Sequence, residues 1–135
     1  QVFTDYSKIS EPEGYTFSKP DDWDCEYYPT WIPSEFHYSK TSVWGPSQCL
    51  YFNSPMGSFT FTYTTGWPSD YSAVEESTSS KTSTITLHGQ SIPVYTSQDG
   101  TTKTVYIRTK SGTIIVDGQM TQQEIAKIIR SITNL

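Results

Sequence analysis

Residues 59–64 read Phe59-Thr60-Phe61-Thr62-Tyr63-Thr64. Successive side chains of a strand point to opposite faces, so three aromatics share one face and three threonines the other. Such a strand needs a sheet with one buried and one wet face, which rules out an all-helical fold. The flanking sequence extends the pattern on both sides. Residues 36–44 and 48–53 read as strands separated by a Gly45-Pro46 turn, and Ser54-Pro55-Met56-Gly57 turns the chain into the alternating stretch. Beyond residues 65–82, a long excursion with one helical turn expected near Tyr71–Glu76, come four further strands: Ser83–His88, Ile92–Ser97, Lys103–Thr109 and Thr113–Asp117. Their turns carry Gly89, Asp99-Gly100 and Ser111-Gly112, and Asp-Gly between apolar alternations is a strong hairpin signal because it accepts positive φ.

The chain closes on a helix with a well-marked start. Thr121 and Glu124 have capping-box spacing, and Met120 and Ile125 have that of a hydrophobic staple. Ile125, Ile128, Ile129 and Ile132 then form one apolar stripe, with Lys127 and Arg130 placed to suit the negative end of the helix dipole. Four isoleucines on one face require a partner surface, and the sheet is the one available. The fold expected is α+β: a curved antiparallel β-sheet of five to seven strands with the C-terminal helix packed on one face, all 135 residues forming one domain.

Residues 1–35 are different. Pro12, Gly14, Pro20, Pro29 and Pro33 break both helix and central strand. The segment reads as an arm wrapped on residues 36–135 and pinned by Phe3, Tyr15, Phe17, Trp23, Tyr27, Tyr28 and Trp31, with a short helical turn near Lys8–Ser10 or Asp21–Cys25. The arm also holds the acidity. It carries eight acids and two lysines, a charge of −6, against six acids and seven bases in the remainder. Nine Lys and Arg scattered through the chain give no footprint for phosphates, so nucleic acid and an anionic membrane surface are unsuitable partners. No run of about 18 apolar residues exists to form a membrane-spanning helix.

The surface chemistry is built on hydroxyls, with 19 Ser and 20 Thr among 135 residues, a style suited to an extracytoplasmic protein. The chain starts at Gln1 with no initiator Met or export signal, so the expectation is that a targeting segment has been removed or that this is an excised piece of a longer protein, whose missing N-terminal part would carry any anchor. Cys25 and Cys49 lack CxxC spacing; they form either a disulfide across the arm–sheet junction or two separate buried thiols.

Chemistry concentrates in Asp21–Trp31. Asp22, Asp24 and Glu26 alternate and fall on one side of an extended chain, while Trp23, Tyr27, Tyr28 and Trp31 offer flat apolar rings beside them. Rings and acceptors together suit a glycan, but aromatics in a proline-broken segment more often pack the arm against a sheet. The acids lack the Gly and distal Glu of a calcium loop, and no catalytic, metal or cofactor signature is present. His37 lies inside a strand and His88 at a strand end, so a small hydrolase would have to be assembled from Asp22, Asp24 or His37.

Several stretches resemble one family. Pro29-Thr30-Trp31-Ile32-Pro33-Ser34-Glu35-Phe36 resembles its opening P-x-Y-x-P-E-G-F, and a Phe/Thr-alternating strand follows at 59–64. Ile85–Tyr95 resembles its V-x-I-x-G-x-x-A-x-Y hairpin. Residues 105–118 and the capped helix at 120–132 are similar to its last strand pair and its L-S-x-E-E-L-I-K-I-A-x-S-I helix. Ser34-Glu35 replaces Glu-Gly, Tyr106-Ile107-Arg108 stands where Trp is common, and Glu11–Phe17 echoes the opening motif a second time. The family is domain of unknown function 4367 of Gram-positive bacteria, and the resemblance covers roughly residues 29–135. It implies an extracytoplasmic domain of membrane-anchored, anti-sigma-factor-like proteins or lipoproteins, with a Mog1/PsbP-like architecture (a cystatin-like sheet as runner-up) and no catalytic residues. The function expected is therefore a non-catalytic sensing or protein-interaction domain, the partner an unidentified protein, small ligand or glycan. A carbohydrate-binding module and a small hydrolase are the alternatives.

Overall fold

The computed structural model describes residues 12–65 and 81–135. Nine strands and one helix run in the order β1 (Gly14–Thr16), β2 (Trp31–Pro33), β3 (His37–Trp44), β4 (Ser47–Ser54), β5 (Gly57–Thr64), β6 (Lys81–Leu87), β7 (Gln90–Thr96), β8 (Thr102–Arg108), β9 (Thr113–Gln119) and α1 (Gln122–Arg130) among these residues. The expected helical turns near Lys8–Ser10 and Tyr71–Glu76, and the anchoring role of Phe3, lie outside the described residues. At Asp21–Cys25 there is one tight turn rather than a helix, closed by Trp23 N–H donating to Pro20 O at 3.1 Å.

The large sheet is wholly antiparallel with strand order β3-β4-β5-β9-β8-β7-β6. Two meanders, β3–β5 and β6–β9, are therefore joined through their last strands, with Phe61 opposite Val116. This places the Phe/Thr-alternating strand near the middle of the sheet. Thr41, Leu50, Phe61, Val116 and Val105 form one continuous cross-strand row on the inner face. Phe59, Phe61 and Tyr63 point inward and are buried, as their alternation requires. Thr60 and Thr62 are half-buried on the outer face, whereas Thr64 is only 2% exposed and accepts a hydrogen bond from Ser47 Oγ, so the expected wet face is wet at two threonines and not at the third.

The helix forms as its caps dictate. Glu124 N–H donates to Thr121 Oγ1 at 3.1 Å, and Thr121 N–H donates back to Glu124 Oε1 at 2.9 Å. Ile125, Ile128 and Ile129 have no exposed surface and Ile132 very little. The helix lies against β6, where Gln122 and Arg130 side chains donate to the carbonyls of Thr84 and Thr86.

One helix is too narrow for this sheet. Seven strands spaced about 4.8 Å apart span roughly 29 Å, against about 10 Å for a helix with its side chains. The arm supplies the missing cover over β3–β5. Phe17 packs edge-on against Phe52, Trp23 against Phe61 and Phe36 against Phe59, and Tyr27 meets Tyr63 with centroids 5.7 Å apart. The arm is more regular than its prolines suggest, because β1 and β2 pair as a small ribbon. Arm and helix are also tied to each other: Thr30 N–H and Oγ1 donate to Ser131 O, and Thr133 N–H donates to Tyr28 O.

Candidate functional site

The stretch Asp22–Trp31 separates into an inner and an outer set by simple alternation. Trp23, Cys25 and Tyr27 face the core, while Asp22, Asp24 and Glu26 face water. Trp23 is held inside because its one polar atom is satisfied there: the indole Nε1–H donates to Tyr27 O at 2.9 Å. The carboxylates are held outside because the arm is fixed on both sides of them. Asp24 N–H donates to Gln48 Oε1 at 3.0 Å, and Glu26 O accepts from Thr133 Oγ1 at 2.6 Å and Asn134 Nδ2 at 2.9 Å.

This geometry does not build the ring platform that glycan recognition would require. Trp23 is 1% and Tyr27 6% exposed. Tyr28 and Trp31 are half-buried, and Trp31 lies beneath Lys127 Nζ at 4.8 Å from the ring centroid. The aromatics were chosen for apolar area, and the core takes that area first.

The cysteines are not bridged. Cys25 belongs to the inner core, where its sulfur accepts from Tyr27 N–H, whereas Cys49 alternates with the inward-facing Leu50 and Phe52 and so lies on the outer face, accepting from Thr62 Oγ1. A seven-stranded sheet one residue thick stands between two thiols that the sequence leaves free to pair. Burial raises both thiol pKa values.

The residues of a would-be hydrolase are also kept apart. His37 pairs with Asn53 at one end of β4, while the Asp24 backbone is held by Gln48 five residues away, about 17 Å along an extended strand. His88 sits in the β6–β7 turn near the opposite edge of the sheet from His37 on β3. Among the described residues no three His, Cys, Asp or Glu side chains converge as metal ligands would.

Two features emerge that sequence spacing does not reveal. The exposed acids adjoin an apolar side chain: Gln48, which holds Asp24, is the cross-strand partner of Val43, 64% exposed near the tip of the β3–β4 hairpin, while its neighbour Trp44, 53% exposed, alternates onto the outer face opposite Ser47. The second is an acid pair at the start of α1. Glu124 is 8% exposed and its carboxyl pKa is raised to about 7, first by burial and then by hydrogen bonding to, and repulsion from, Glu35. The capping box marks Glu124 in the sequence, but nothing there brings Glu35 to it.

In comparison with known protein families, the profile described as Domain of unknown function (DUF4367) matches residues 26–132. No curated protein matches the chain.

Proposed function

The chain belongs to the domain of unknown function 4367 family, and from that premise we propose that it is a non-catalytic protein-interaction or sensing domain. It works outside the cytoplasm as part of a membrane-anchored or lipid-anchored bacterial protein. The observation that carries this reading is the surface where the outward row Asp22, Asp24 and Glu26 runs beside the exposed Val43 near the hairpin tip, Asp24 being tied by its backbone to Gln48, the cross-strand partner of Val43. Exposed large apolar side chains rimmed by charge are a common composition for a recognition patch, since the apolar part supplies affinity and the charges orient the partner. The complementary partner is a protein segment with Lys or Arg flanking an apolar residue. The hydroxyl-rich composition supports the extracytoplasmic placement.

Site-specific photo-crosslinking in cells expressing the full-length protein tests this. A crosslinker at Val43 or Asp24 should give a discrete protein adduct, and one at exposed Ser91 near the far edge of the sheet should not. The adduct should disappear on combining Asp22→Asn, Asp24→Asn and Glu26→Gln, and protease added to intact protoplasts should digest it. Equal labelling from Ser91, an adduct indifferent to the three neutralisations, or protection from external protease would overturn the reading.

A further inference from the structure

The large sheet has two edges, β3 and β6, and the fold treats them differently. In an antiparallel pair, residues that bond across the ladder alternate with residues whose N–H and C=O point away from it. A two-residue hairpin fixes the phase, because the pair flanking the turn is a bonded one. At the β6–β7 turn that pair is Leu87 and Gln90, so Thr84 and Thr86 turn their backbone groups away from β7. Pro93 agrees with this phase: it has no N–H and stands opposite Thr84, where no ladder bond is needed. Helix α1 covers this edge. Gln122 Nε2 donates to Thr84 O at 3.3 Å and Arg130 Nε to Thr86 O at 3.2 Å.

At the other edge, Trp44 and Ser47 flank the Gly45-Pro46 turn, so Thr41 and Val43 carry the outward backbone groups of β3. Among the described residues, no hydrogen bond from outside the ladder reaches them. The devices that commonly blunt an edge are set apart from this stretch. The bulge in β3 lies between Tyr38 and Lys40, and Lys40 turns its ammonium across the sheet to the Tyr51 ring on β4, 4.9 Å from the centroid. Beside the open stretch runs the acid row, with Asp24 N–H held by Gln48, the residue opposite Val43.

We propose that the free edge of β3 at Thr41–Trp44 takes an extended peptide as an eighth strand, one that carries Lys or Arg on either side of an apolar residue paired to Val43. This rests on the acidic surface being the recognition face and adds the means by which the partner is held. The backbone supplies affinity, through the outward N–H and C=O groups of Thr41 and Val43. Side chains supply selection: the residue paired to Val43 lies beside it, and its neighbours two positions away share that face with the acids. The charge suits a basic peptide better than a second copy of the chain. Two copies joined antiparallel at β3 are related by a twofold axis normal to the sheet, which sets a second row of Asp22, Asp24 and Glu26 on the same face.

The probe is a capped synthetic heptapeptide alternating threonine with lysine, valine and lysine, so that the last three share one face. Titrated into the folded chain, it should give saturable amide shifts centred on residues 41–44 and 22–26, and the Thr41 and Val43 amides should gain protection from hydrogen exchange. In an added strand only alternate residues turn their N–H toward β3. N-methylation of the valine should therefore weaken binding about tenfold, and N-methylation of an adjacent threonine by no more than about twofold. Val43→Pro deletes an outward N–H without breaking a ladder bond and should weaken the peptide similarly, its thermal midpoint reporting that it is folded. Replacing both lysines by glutamates should abolish saturation, and combining Asp22→Asn, Asp24→Asn and Glu26→Gln should erase the preference for lysine. Sensitivity to charge with indifference to N-methylation would overturn strand addition and leave the acidic surface as the recognition face. Indifference to the peptide's charge would overturn the partner's chemistry and the acidic-surface reading together. Absence of saturable shifts, shifts centred on residues 83–86, or a dimer of the chain alone that Val43→Pro dissociates would also refute the proposal, the last by assigning the edge to a second copy.

Discussion

Raising the pH from about 5 to about 8 should destabilise the fold through one carboxyl group. Glu124 is buried against Glu35, and its pKa rises from 4.5 to about 7 on folding. Between those values the folded chain keeps a proton that the unfolded chain has released, so the free energy of unfolding falls as pH rises through the window. At about 1.4 kcal/mol per unit, the shift sets a ceiling near 3 kcal/mol. Glu35 is exposed, and water screens its share of the effect, so about 1–2 kcal/mol is expected. For a chain of this size that is a fall in thermal midpoint of roughly 3–8 °C. The discriminating variant is Glu124→Gln. Glutamine fills the same capping-box position without an ionisable group, so helix α1 keeps its cap while the pH dependence is lost. Urea unfolding of both proteins at pH values across the window provides the assay. The wild type should lose stability toward pH 8, and the variant should have a flatter profile and match or exceed the wild type there. A wild-type profile that is level or rising across this interval, or a Glu124→Gln profile with the wild-type slope, would refute the assignment.

Three further outcomes follow from the packing. Trp23→Ala should cost about 3–5 kcal/mol, measured by denaturant unfolding, because the indole is fully buried against Phe61 and its N–H is satisfied inside; a surface ligand-binding tryptophan would cost far less. Gly118→Ala should destabilise by about 2 kcal/mol or more, since a Cβ there would meet Phe59 Cβ at 2.2 Å and Cα at 2.4 Å on the neighbouring strand. Cys25 and Cys49 should both react slowly with a thiol reagent in the native state and at full rate in denaturant, and the chain should carry two free thiols after exposure to air.

The acidity of residues 1–35 and the aromatics that accompany it separate once the chain is folded. Trp23 and Tyr27 turn out to be structural, while Asp22, Asp24 and Glu26 remain at the surface because Gln48 and the tail residues Thr133 and Asn134 hold the arm by its backbone. The part of the expected site that stays available is its charge, and its apolar complement comes from Val43, more than fifteen residues further along the chain.

What could be read from sequence alone was written in short-range periods. Alternation over Phe59–Thr64 assigned a strand and its buried face, Asp99-Gly100 marked a hairpin, and the Thr121–Glu124 spacing with four isoleucines assigned a helix and the side it buries. Each signal acts between residues only a few positions apart, where local sterics and hydrogen bonding decide the outcome. The tertiary structure decided everything that depends on which distant surfaces meet. It joined β5 to β9, so that the helix covers one part of the sheet and the arm another. It set Cys25 and Cys49 on opposite faces, brought Glu35 to Glu124, and turned helix side chains onto the edge of β6. An aromatic next to an acid has the same local pattern whether it faces a ligand or a core. The sheet's uncovered width, which no short window contains, turned the rings inward.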